Sequence, residues 1–483
     1  MGHRSRLQSV ELLDEERLPD ESSVDRVPEP RRRAVGRWWP AFVAVVAVAL
    51  LAGTQELLDT RQRAAEARFA TIPGVVRPVG PDVRIAWQPP VALAGLVREG
   101  IAADGAFVGL SVAGNGSQAV VAVDQRTGDV LWSTTLFGPD ASRALSLDRR
   151  TADQCARATE HRLACLVSNG YQHFDRASSP EIVPATSTRV VVLDTRDGRI
   201  VADRPVTDVT SMAVFPGLAV LGARDRGVTA QDLLTGEERW RYLPPSAGVD
   251  LSQAALTSSV KVFAAGDLVG VTNPGWSVAL LDASGAVVRP PVPAVAGYRY
   301  DKVAGVLALL STTESGQVRS SIVRAGLDTV DLPGTYLEVS ADDASLPDLV
   351  LTADGMLRGW DARTGQPWWT SQETATGPAV VLRGRVYVPT MTGIVSLDGR
   401  TGSLSWRSAV TPGHVPGALA TDGSAILVAD QPVAGSDRSE LVAYDLDDGH
   451  PLWRAPLPAD IRSSTSVGRV LLGLSTDGVA VLG

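Results

Sequence analysis

The chain has 483 residues, 44% apolar and 20% charged, with a formal net charge of -9. That length and apolar content permit a large buried core or several domains. The acidic balance argues against a nucleic-acid surface, and two cysteines with five histidines leave little for a metal centre or a cofactor pocket.

Residues 1–37 are charged, contain Pro28 and Pro30, and end in Arg31-Arg32-Arg33 and Arg37; they read as a disordered cytoplasmic tail. An uncharged stretch, Trp38 to Thr54, follows, and the apolar character continues through Leu57 and Leu58. It is short for a membrane span, for which roughly 17–25 residues are needed. Tryptophans at its basic edge and arginines ahead of it predict a single transmembrane helix over 38–58 with the N-terminus cytoplasmic. A cleaved signal peptide, cut near Ala47-Val-Ala49, is the rival. Residues 59–82 read as a helical stalk and then a stiff linker marked by Pro73, Pro78 and Pro81. This topology implies a single-pass cell-membrane protein whose folded domain, residues 83–483, lies outside the cytoplasm. There, Cys155 and Cys165, the only cysteines, are expected to form a disulfide closing a small loop in an insertion between repeats.

From Val83 onward one hairpin returns at intervals of about 40 residues, the signature of a radial or solenoid architecture. It is marked by Asp124, Gly128 and Trp132, then by Asp232, Gly236 and Trp240. Asp361 and Gly365 with Trp368 come next, followed by Asp398, Gly402 and Trp406 and by Asp445, Gly449 and Trp453. Weaker copies start at Asp194 and Asp282. The Asp can accept bonds from amides two and three residues on, the Gly supplies a positive φ, and the Trp offers a large apolar body with one N–H for packing between sheets. Repetition places one Asp on each sheet, so these residues are structural and form no acid–base or metal array.

Each unit holds four short strands, such as Met212–Phe215, Leu218–Gly222, Val228–Gln231 and Glu238–Tyr242, with the marked hairpin expected in the inner half of its sheet. After Trp87, Leu96–Ala102 reads as the first strand. The chain ends on Gly478–Gly483, a third strand without its partner, and the domain begins on Val83–Trp87, which reads as a partnerless fourth strand. Pairing them closes a ring. The expected fold is all-β: a closed β-propeller of four-stranded blades, eight in number with nine as the rival, after the transmembrane helix. The uncertain region is 286–345, where the repeat degenerates.

These residues resemble the PQQ-like β-propeller repeat, whose pattern is an apolar strand, Asp, two variable residues, Thr-Gly and then Trp. The repeat occurs in quinone-dependent alcohol and glucose dehydrogenases and in the assembly factor BamB, so the resemblance implies a fold and leaves function to the sites. Alcohol-oxidising members present a vicinal Cys-Cys pair, which this chain lacks. BamB is anchored through an N-terminal lipidated Cys, also lacking here. No Gly-x-Ser-x-Gly elbow, phosphate loop or His-Glu-x-x-His helix is present. No cofactor, metal or nucleic-acid partner is expected, and the chain reads as a binding protein more than an enzyme. The arginine-for-lysine bias, with only Lys261 and Lys302, is that of a high-GC bacterium.

The leading functional reading is a membrane-anchored scaffold that docks a protein or cell-envelope partner on one end of the ring. Candidate recruiting features are the insertion Phe137–Pro184, with Tyr171 and Phe174, and the loop Asp430–Glu440. The alternatives are a small-ligand sensor or receptor and a quinoprotein oxidoreductase of the PQQ type.

Overall fold

The computed structural model describes residues 69, 71–140, 149–150, 154–173, 181–223, 227–244, 260–272, 277–292, 295–324, 328–433, 438–476 and 478–483. Antiparallel sheets follow one another along the chain. Blade 1 comprises Ile101–Ala103, Ala106–Val112, Gln118–Asp124 and Val130–Phe137; blade 2 comprises Gln154–Thr159, Arg162–Ser168, Thr188–Asp194 and Ile200–Pro205. Blade 3 is Val209–Phe215, Leu218–Ala223, Gly227–Asp232 and Glu238–Tyr242, and blade 4 is Lys261–Ala265, Leu268–Thr272, Val278–Leu281 and Val287–Val292. Blade 5 is Val295–Asp301, Val306–Thr312, Val318–Val323 and Val330–Pro333, and blade 6 is Thr335–Tyr336, Leu349–Ala353, Leu357–Asp361 and Pro367–Ser371. Blade 7 contains Ala379–Leu382, Arg385–Thr390, Gly393–Asp398 and Leu404–Ala409; blade 8 contains His414–Thr421, Ala425–Pro432, Glu440–Asp445 and Pro451–Pro456. Blade 9 takes Ser463–Val467, Val470–Leu474 and Val479–Leu482 from the C-terminus and Ile85–Trp87 from before blade 1.

The ring is therefore nine-bladed among the described residues, which corrects the expectation of eight. Counting by Asp-to-Trp markers passes over blade 5, whose third strand ends on Val323 and whose outer strand, Val330–Pro333, has no tryptophan. Its four strands are all present nonetheless. Closure pairs the two ends of the domain in one sheet: Ile85 pairs with Leu482 and Trp87 with Val481.

Packing confirms the circular order. Each apolar cluster spans two successive blades, and one cluster joins blade 9 to blade 1 through Val470, Leu472 and Val481 against Phe107, Val121 and Val123. The third strand of blade 1 shows why. Val120 and Ala122 face blade 2, while Val121 and Val123 face blade 9. A strand buried on both faces has no polar side to offer, so its sequence runs apolar without interruption.

First strands of successive blades approach one another, and fourth strands are the exposed ones. The chain thus runs outward from the axis in every blade. The marked hairpin joins strands three and four, so it forms the outer half of each sheet, a correction to the inner placement read from sequence. Leu96 and its neighbours depart from expectation as well. Val91–Glu99 is a helix, α1, starting after Pro90 and burying Leu96 and Val97 between blades 9 and 1. Ala92, Leu93 and Leu96 are good helix formers spaced at three and four, and Pro89-Pro90 fixes the entry.

α1 has nine residues, and no helix among the described residues is long and apolar enough to cross a membrane. The expected transmembrane helix at 38–58 lies outside the described residues. With no spanning helix found, the single-pass membrane topology, the membrane partner and the localisation built on them are withdrawn. The described part of the expected linker is packed into the ring: Val75 and Val76 are buried, and the Val76 N–H donates to Thr421 O at 2.9 Å. Val339–Asp342 leaves blade 6 to pair in parallel with the first strand of blade 7, adding a fifth strand there. Pro73 O accepts from Asp342 N at 3.3 Å, so these two segments together line the inner edges of blades 7 and 8.

Candidate functional site

In an antiparallel four-stranded blade, turns 1–2 and 3–4 fall at one end of the ring. The 2–3 loops and the connections to the next blade fall at the other. The turn end holds the marked hairpins. Asp124 Oδ1 accepts from the amides of Arg126 at 2.7 Å and Thr127 at 2.9 Å, and Asp232 does the same for Leu234 and Thr235 at 3.0 and 2.9 Å. Asp361 holds Arg363 and Thr364, Asp398 holds Arg400 and Thr401, and Asp445 holds Asp447 and Asp448. These amide bonds favour the charged form. They hold the Asp124 and Asp232 carboxyls below the usual carboxylate range, the Thr127 and Thr235 amides contributing most. The Thr401 hydroxyl does the same for Asp398. Each carboxylate is committed to its own turn, and each turn belongs to a different blade.

The glycines of these turns serve the next junction. Gly128 has φ 78°, and a Cβ there would fall 2.6 Å from the Trp87 ring of blade 9. Tryptophan from one blade thus lies flat on the turn glycine of the following blade and donates its Nε1–H to a turn carbonyl. Trp132 reaches Thr195 O at 2.9 Å over Gly198, Trp240 reaches Ala283 O at 2.9 Å over Gly285, and Trp406 reaches Leu446 O at 3.0 Å over Gly449. Gly402 receives Trp369, whose Nε1–H meets Gly399 O at 2.9 Å. The docking residue of blade 6 is therefore Trp369 and not its neighbour Trp368, because the ring must lie four residues past the glycine to share the strand face of Trp132. Two junctions use other chemistry. Over Gly236 lies Arg204, donating to Leu233 O at 2.8 Å, and over Gly365 lies Val330. Trp453 packs into the blade 8–9 cluster, where blade 9 has no 3–4 turn to receive it.

At the loop end, a three-stranded sheet (Arg149–Arg150, Tyr171–His173, Glu181–Val183) is built from the connection entering blade 2 and that blade's 2–3 loop. Tyr171 is on its middle strand; Phe174 lies outside the described residues. Cys155 and Cys165 sit outside this insertion. They face one another across the first hairpin of blade 2, disulfide-bonded with Cα atoms 4.1 Å apart. The segment from 154 to 168 is regular blade, and only its flanks are inserted.

The loop after Asp430 also differs from expectation, for Asp430 is fully buried. Its Oδ2 accepts from the Thr411 amide at 3.0 Å and hydroxyl at 2.7 Å, and Arg454 Nη1 stands 3.5 Å away. His414 Nδ1 is 3.1 Å from the other carboxylate oxygen, and Arg454 also approaches Glu440 at 3.6 Å. Burying a carboxylate is costly unless hydrogen bonds such as those from Thr411 accompany it. This cluster ties both loop-end connections of blade 8 to its sheet. Sequence reasoning missed it because His414, Asp430 and Arg454 lie on three strands, with no shared motif. Near the turn end, Asp445, Asp448 and His450 gather potential ligand atoms within 4.8 Å, but Asp445 and Asp448 already accept amide bonds of that one surface turn.

Residues 339–478 match the family model described as "Outer membrane protein assembly factor BamB". No curated protein matches. Among solved structures, BamB from Moraxella catarrhalis is 20% identical, with 68% of this chain and 92% of that chain covered and a TM-score of 0.35. A europium-containing methanol dehydrogenase is 13% identical over 84% of this chain and 87% of that chain, with a TM-score of 0.38. The computationally designed protein Ika8 is 14% identical over 85% and 99%, at 0.35. Scores this low carry no functional inference. The segment 339–478 is thus similar to the repeat that this family model describes, within a fold that is a β-propeller.

Proposed function

We propose that this propeller is a non-catalytic scaffold that docks a folded protein partner on its loop end. The observation that carries the reading is the irregular polypeptide that the blades' own connections build at that end: the extra sheet on blade 2 lies there, and the blade 8 loop is braced there by Asp430. Rigid strands presenting irregular loops are a common basis for recognition. The turn end supports the reading by contrast, since the carboxylates of its marked hairpins accept amides of their own turns. The two cysteines are bonded to each other across a hairpin, which differs from a vicinal pair poised over a quinone. The description of the matched family as an outer membrane assembly factor favours a partner in the cell envelope. We take residues 83–483 as the propeller domain, with 71–82 packed against it.

A photo-crosslinking amino acid placed at Thr186 or Arg438 on the loop end, or at Arg126 or Arg400 on the turn end, tests this. The same partner band is expected from the first two positions in native cells and from neither of the others. Crosslinks confined to Arg126 and Arg400 would reverse the assignment.

A further inference from the structure

Around the turn end, several arginines have acceptors of their own. Arg196 donates to Asp194 at 2.6 and 2.9 Å, Arg239 to Asp232 at 3.0 Å, and Arg385 to the Leu446 and Asp447 carbonyls at 2.9 Å. Three arginines where blade 9 meets blade 1 depart from this pattern, and they come from three separate segments. Arg77 lies on the stretch packed against the ring, and its N–H donates to Arg469 O at 2.9 Å. Arg469 follows Gly468 in the turn between Ser463–Val467 and Val470–Leu474, and a Cβ on that glycine would stand 3.2 Å from Ala102 of blade 1. Arg126 belongs to the marked hairpin of blade 1, which Trp87 ties to blade 9 by donating to Gln125 O at 3.2 Å. Arg77 Nη2 reaches Gln125 Oε1 of that hairpin at 3.2 Å, so its guanidinium spans from the blade 9 turn to the blade 1 turn.

These guanidiniums crowd one another without an acid to balance them. Burial, and then the Arg126 and Arg469 guanidiniums beside it, hold Arg77 below the usual guanidinium range; Asp124 acts in the opposite sense but least. Asp124 Oδ1 already accepts two amides of its own turn. Among the described residues no carboxylate forms an ion pair with any of the three arginines, and Arg469 Nε is buried without a hydrogen-bond partner. A charged donor left buried and unpaired is unfavourable, and so is a group of like charges, and an incoming anion relieves both.

We propose that Arg77, Arg126 and Arg469 form a binding site for a phosphate group, carried by a small phosphate ester or by a lipid headgroup. A tetrahedral oxyanion offers oxygens in several directions, as planar forks arriving from three segments require, whereas a carboxylate offers two in one plane. Three guanidiniums against one carboxylate leave two positive charges over, which matches a phosphate monoester dianion. The site lies at the turn end and stands independently of the docking surface at the loop end.

Isothermal titration calorimetry of inorganic phosphate into the purified full chain at low ionic strength tests the site. Saturable binding is expected, weakened about tenfold or more by Arg126→Gln or Arg469→Gln. It should be unchanged by Arg363→Gln, which alters the same hairpin position in blade 6. Arg126 is exposed, so its replacement leaves the core intact. Without phosphate both site variants should unfold at or above the wild-type temperature, since a like charge has gone, and added phosphate should raise Tm in wild type but not in them. Flotation with phosphatidylcholine vesicles containing phosphatidic acid separates the two sources. Flotation lost in Arg126→Gln assigns a lipid headgroup, and calorimetric binding without flotation assigns a soluble ester. Binding to neither probe, or binding indifferent to Arg126→Gln and Arg469→Gln, would overturn the proposal.

Discussion

At the turn end of the ring, seven Asp-led hairpins repeat nearly the same hydrogen bonds, and five tryptophans dock on glycines of the next blade. At the loop end nothing repeats: blade 2 grows a small sheet, blade 8 buries a carboxylate, and α1 fills the step from blade 9 to blade 1. The strands are shared, so the difference cannot come from the sheets. It comes from what each end does for its neighbours. A turn that must receive the previous blade's side chain is constrained by that side chain, whereas a connection that only returns to the axis is free to vary. Stability is thus concentrated at one end and variation at the other.

This contrast can be broken most sharply by removing a dock. Trp132→Ala or Trp406→Ala should destabilise the domain by roughly 3–5 kcal/mol, from lost burial and the cavity left behind, read by denaturant titration. Equal stability of variant and wild type would end the docking assignment. Arg204→Ala, at a junction where no tryptophan docks, should cost about 1–2 kcal/mol, because it loses a carbonyl contact and stem packing without an aromatic cavity.

The loop end has one position expected to behave as core. Asp430→Ala leaves Thr411 and Arg454 without their acceptor and should cost about 2–3 kcal/mol. Substituting Thr186 or Arg438 should stay within about 0.5 kcal/mol of wild type while weakening partner capture, measured by thermal unfolding beside a pull-down.

Acid provides the finest distinction. Asp124, Asp232 and Asp398 have carboxyls held below their unfolded values. Their contribution is therefore fully present above an unfolded pKa of about 4 and is lost as pH falls through the lower folded values. Asp398→Asn should flatten the acid limb of a stability–pH profile, lowering stability modestly in the neutral region and converging on wild type in acid. A difference from wild type that stays constant as pH falls through ~4 would remove the turn carboxylates from that role.

Much of the ring could be read from the chain because its periodic parts are local. Asp124, Thr127 and Gly128 make their turn among themselves, and Val479–Leu482 and Ile85–Trp87 are visibly half-pairs. What stayed hidden depends on partners distant in sequence. Arg204 can stand in for tryptophan only because Leu233 O is there to receive it. Trp369 outranks Trp368 only once the strand face is known. Blade 5 lacks every marker yet pairs normally, since main-chain hydrogen bonding does not need them. Asp430 was read as a surface acid, and burial among residues from three strands made it a brace.

The joint between Ile85–Trp87 and Val479–Leu482 has a consequence for how the protein is made. During synthesis the first of these strands emerges early and its partner only after blades 1 to 8, so eight sheets can assemble while the ninth waits. Until Val479–Leu482 has been made, Ile85–Trp87 has no strand beside it, and a chaperone would find an open sheet edge there.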